Sequence, residues 1–182
     1  YASSAIPQLP EKAAWEVIGA LAQHGGDAAD RNLPLLLWQG LAQTMEGAAS
    51  KHNRSPVGSA NFRSNSLARA FAIAEKTSIP MLAEFIYWHA AARDGEGLNK
   101  VIAQLASLSG EKLPRRLAGV GLGLEGRTGV SRPPAWTSVA PVLYAHPDLR
   151  VQRQAELIAA ALGDGSRFPR LRETLADTRE DL

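Results

Sequence analysis

The chain has 182 residues, 45% of them apolar and 21% charged, and a net charge of +2. That balance suits one good-sized globular domain and gives a polyanion little to bind, even with a sequence pI near 9.2. There is no cysteine, which removes disulfides, thiolate catalysis and cysteine-ligated metals, and no run of about 18 apolar residues suggests a membrane span.

Helical periodicity dominates from end to end, and no alternating strand pattern appears. Trp15, Ile18 and Ala22 mark one face of a first helix over 11–23. Leu37, Trp38, Leu41 and Met45 mark a second over 34–45, and Leu67, Phe71 and Ala74 a third over 65–76. Leu82, Phe85, Ile86 and His89 follow the i, i+3, i+4, i+7 rule over 80–93, and Leu98, Val101, Ile102 and Leu105 repeat it over 96–108. Leu113, Leu117, Val120 and Leu124 predict a helix over 113–125. Trp136, Val139, Ala140 and Leu143 predict another over 134–145, with Pro141 inside it as a kink. Val151, Ala155, Ile158 and Leu162 predict an eighth over 147–162, and Phe168, Leu171 and Leu175 open a ninth.

Prolines 34, 80, 114 and 147 fall in the first turns of alternate helices, at intervals of 46, 34 and 33 residues. A first-turn proline forfeits no intrahelical hydrogen bond. A period near 33 with two helices per period is the mark of an α-solenoid. The expected fold is therefore all-α: about nine helices in antiparallel pairs, one domain over 1–182. The wide first interval holds "EGAASKHNRSPVGSANF", residues 46–62, which reads as a long loop between repeats. The chain begins at Tyr1 without an initiator Met and ends on "ETLADTREDL", so we expect a piece of a longer protein.

Chemistry-bearing residues are sparse. His24, Asp27 and Asp30 are spaced by three around Gly25-Gly26. They could offer carboxylates and an imidazole to a hard cation. They are also what a helix corner uses, with the acids favouring the next helix dipole and Asn32 capping it. We favour the corner, and with it no metal and no cofactor. His89 beside Trp88 reads as a core histidine, and Trp15, Trp38, Trp88 and Trp136 as core rings, the alternative being an aromatic anchor on an exposed face. Gly119, Gly121 and Gly123 lack a preceding strand, which argues against a dinucleotide loop and for close helix approach. Lys112, Arg115, Arg116, Arg127 and Arg132 form a basic cluster diluted by Glu111 and Glu125, without a stacking aromatic among them. Nucleic acid is therefore an unfavoured partner. No Ser-His-Asp order, HExxH or P-loop is present.

Two stretches carry a resemblance. "GGDAADRNLPLLLWQGL" (25–41) and "GLGLEGRTGVSRPPAW" (121–136), the latter followed by "HPDLRVQRQAELIAAALGDGSRFPRLRETLAD" (146–177), resemble the HEAT-like helical region of very large exported proteins of planctomycetes and verrucomicrobia. The resemblance covers most of 12–177. It departs at "RNLP", where the family often has Pro or His before the apolar pair, and in the loop at 46–62. In that family a sugar-dehydrogenase-like β-propeller precedes this region and a c-type cytochrome domain with a CxxCH motif follows it. The resemblance implies a non-catalytic scaffold or docking module of an exported, periplasmic oxidoreductase, with flanking domains of the same chain as partners and no cofactor of its own. An independent protein- or peptide-binding repeat domain is the alternative. On either reading His24, Asp27, Asp30, Arg115, Arg116 and Arg127 are the candidate contact residues.

Overall fold

The computed structural model describes residues 5–46, 59–93, 95–127, 129–169, 172 and 173. Among them the protein is all-α, with no strand and eight α-helices. These are α1 (Glu11–Leu21), α2 (Leu33–Met45), α3 (Ser59–Lys76), α4 (Pro80–Ala91), α5 (Glu96–Leu105), α6 (Lys112–Leu124), α7 (Pro134–Tyr144) and α8 (Leu149–Ala161). Single 3-10 turns lie at Ile6–Gln8, Gly25–Ala29 and Gly165–Arg167. The helix α3 begins at Ser59, earlier than the periodicity implied, because no glycine or proline follows Gly58 to stop it. The rest of the expected 46–62 loop from residue 47, and most of the expected ninth helix, lie outside the described residues.

The chain divides into two compact units, Tyr1–Ile86 and Tyr87–Leu182, with the boundary inside α4. In the first unit α2 packs against both α1 and α3, and the Ile6 turn packs on α1 and α2. Buried Ile6, Ile18, Leu37, Leu41, Ala70, Leu82 and Ile86 form its core. One hydroxyl ties three helices together: Thr77 Oγ1 donates to the Ala22 carbonyl at the end of α1 (2.8 Å) and accepts from the Ile79 N–H before α4 (3.0 Å). Thr77 itself follows the last residue of α3.

In the second unit contacts skip one element: α5 packs on α7 and α6 on α8, with α5–α6 and α7–α8 as neighbours. The predicted apolar stripes of α5 to α8 are all buried. Asn99 of α5 accepts the Ala135 N–H at the start of α7 (2.9 Å). Gly123 permits a close approach, since a Cβ there would lie 2.6 Å from the Trp88 carbonyl oxygen and 2.8 Å from the Ala91 Cβ. Pro141 does lie inside α7.

One proline and two rings need correction. Pro147 is outside α8, because Asp148 caps that helix by accepting the Arg150 N–H. Trp15 and Trp136 are buried as expected, but Trp38 is half-buried and Trp88 is 37% exposed. On α4 the buried stripe is Leu82, Ala83, Ile86, Tyr87, Ala90 and Ala91. Trp88 falls outside it, and so does His89, which is only half-buried and accepts from Arg93 Nε (3.2 Å).

Candidate functional site

The corner at 24–32 is built by Asp30. Its Oδ1 accepts the backbone N–H groups of Asn32 (2.7 Å) and Leu33 (2.8 Å), satisfying donors that the first turn of α2 leaves open. Those two N–H groups hold the exposed Asp30 carboxyl below the usual carboxylate range. Asn32, expected as the cap, makes no side-chain cap bond. Its own φ of −111° and ψ of −34° are already helical, whereas Asp30 has the extended angles that a capping residue adopts. The Asp27 N–H donates to the His24 carbonyl (3.1 Å) in the 3-10 turn, and His24 is exposed. Among the described residues no three His, Asp or Glu side chains gather closely enough to hold a metal ion.

The basic cluster does not assemble as one face. Arg116 is buried, with its guanidinium 5.5 Å from the Tyr87 ring centroid. Arg127 is half-buried and donates from Nη1 to the Ala91 carbonyl (2.9 Å), completing the end of α4. Arg132 donates from Nη2 to the Gly163 carbonyl (2.6 Å). Arg115 and Lys112 are exposed on α6. Three of the five cations are thus committed to contacts within the protein, Arg127 and Arg132 to carbonyls at helix C-terminal ends.

A buried polar cluster centres on a residue that sequence reasoning passed over. Asp164 is 9% exposed, and its Oδ2 accepts from Trp136 Nε1 (2.8 Å) and the Tyr144 hydroxyl (3.2 Å), both on α7. Its Oδ1 accepts the Ser166 N–H (3.2 Å) and lies 4.0 Å from Arg132 Nη2. Burial pushes this carboxyl up, but the donors from Trp136, Ser166 and Tyr144 outweigh it and hold it down, at about 2. The backbone delivers Asp164 by closing α8 with a Schellman turn: Gly163, at φ +64°, donates to Ala160, and the Asp164 N–H donates to Ala159 (2.8 Å). Only a residue without Cβ takes that φ at little cost. These contacts join the "SRPPAW" and "LGDGS" segments. No local signal marks it, since Trp136 and Asp164 are 28 residues apart.

A pocket of about 220 Å³ between the ends of α1 and α3 is lined by Gly19, Ala22, Gln23, Ala72, Ile73, Lys76 and Thr77. Ligand sites are ordinarily larger, roughly 300–1,000 Å³, with several convergent polar groups. No helix among the described residues is long and apolar enough to cross a membrane.

The exposed apolar side chains follow a pattern instead. Leu35 and Leu36 lie on α2, Met81 and Trp88 on α4, Leu122 on α6, and Leu149 and Leu157 on α8. Of the other large exposed apolar residues described, Val142 lies on α7 and Phe168 follows the last 3-10 turn. Leu122 and Leu157 are 60% and 61% exposed, well beyond what packing within a helix pair leaves open. In the first unit the Trp38 and Phe85 rings meet between α2 and α4, with centroids 5.5 Å apart and planes tilted by 41°. Compared with family models, characterised proteins and solved structures, the chain matches none.

Proposed function

We propose that this chain is a non-catalytic helical-repeat module that docks another protein domain through its even-numbered helices. The observation that carries the reading is that the exposed leucines, methionine and tryptophan described lie on α2, α4, α6 and α8, with Val142 and Phe168 as the exceptions among the large exposed apolar residues. Within each unit these groups lie on helices that touch, α2 with α4 and α6 with α8, and apolar groups gathered on neighbouring helices are what protein-binding surfaces offer. The packing of α5 on α7 and of α6 on α8 supports the repeat reading, because stacked repeats contact like with like. Asp30 serves as a helix cap and Asp164 as the centre of a buried polar cluster.

A photoreactive residue at position 122 or 157, compared with one at position 142, tests the reading in the full-length protein. Cross-links to another domain or polypeptide are expected from 122 and 157 and not from 142. Equal cross-linking from all three, or none from any, overturns it. The wider assignment, to an exported oxidoreductase with a dehydrogenase propeller and a c-type cytochrome as the docked domains, rests on the sequence resemblance. A CxxCH motif downstream in the full-length chain supports that assignment, and a start and stop codon at these boundaries would sink it.

A further inference from the structure

We draw no further inference here: the strongest candidate, the apolar surface where Leu35 and Met81 lie one turn before the touching Trp38 and Phe85 rings on α2 and α4, carries nothing beyond the docking role because nothing in the structure shows what covers it.

Discussion

Asp30 and Asp164 are both carboxylates held below their ordinary range by hydrogen-bond donors, yet they do different work. Asp30 is exposed and reaches only to residues two and three positions on. Asp164 is buried and collects donors from α7 and from the turn after α8. Solvent can replace the N–H partners of Asp30 when the carboxylate is removed. It cannot readily reach Trp136 Nε1, so loss of Asp164 leaves a buried donor unsatisfied. The same residue type is therefore a local punctuation mark in one unit and a tertiary joint in the other.

The largest effect that would sharpen this contrast is on the partner ring. Trp136→Ala should cost about 3–5 kcal/mol in equilibrium unfolding, from lost transfer energy plus the cavity, because Trp136 is 1% exposed. Trp38→Ala should cost clearly less, since that ring is half-buried; an equal cost would place Trp38 in the core after all. Asp164→Ala should follow at about 2–4 kcal/mol, the range for removing a buried charged acceptor and stranding its donors.

Gly123→Ala comes next. In an exposed helix this change gains up to about 1 kcal/mol. Here the new Cβ meets the Trp88 carbonyl oxygen at 2.6 Å, and a net loss of about 1–3 kcal/mol is expected from overpacking. A stabilised variant in thermal unfolding would show that α4 and α6 are not held so closely.

The pH dependence is smaller and has a defined sign. A folded carboxyl at about 2, against an ordinary 3.8, adds stability that is full above about pH 4 and is lost as pH falls towards 2. Urea titrations at pH 5 and pH 3 should show that loss in the wild type, and Asp164→Asn should lack this part of it. A variant whose acid sensitivity equals that of the wild type would mean that Asp164 is not the group responsible.

Much of this architecture was legible in the amino-acid sequence. The spacing of Leu98, Val101, Ile102 and Leu105, or of Val151, Ala155, Ile158 and Leu162, sets the phase of a helix, and the buried stripes follow it. Phase does not set width, which is why Trp38 and Trp88 looked like core residues. On α4 the stripe turns towards Tyr87, Ala90 and Ala91, and Trp88 and His89 are left at its edge or outside it. The corner at residue 30 was recognisable as a cap, but choosing between Asp30 and Asn32 needs the backbone angles of both. The Asp164 cluster was invisible because its donors come from residues 20 and 28 positions away. No short-range pattern encodes such a pairing.

Between Asp30 and Asp164 the difference is one of structural reach. It is tested most directly by thermal unfolding of Asp30→Ala and Asp164→Ala beside the wild type at pH 7. Asp164→Ala should lower the Tm by roughly 5–15 °C, the shift that 2–4 kcal/mol produces in a chain of this size, and Asp30→Ala should lower it only slightly. Equal shifts, or a larger one for Asp30→Ala, would contradict the account.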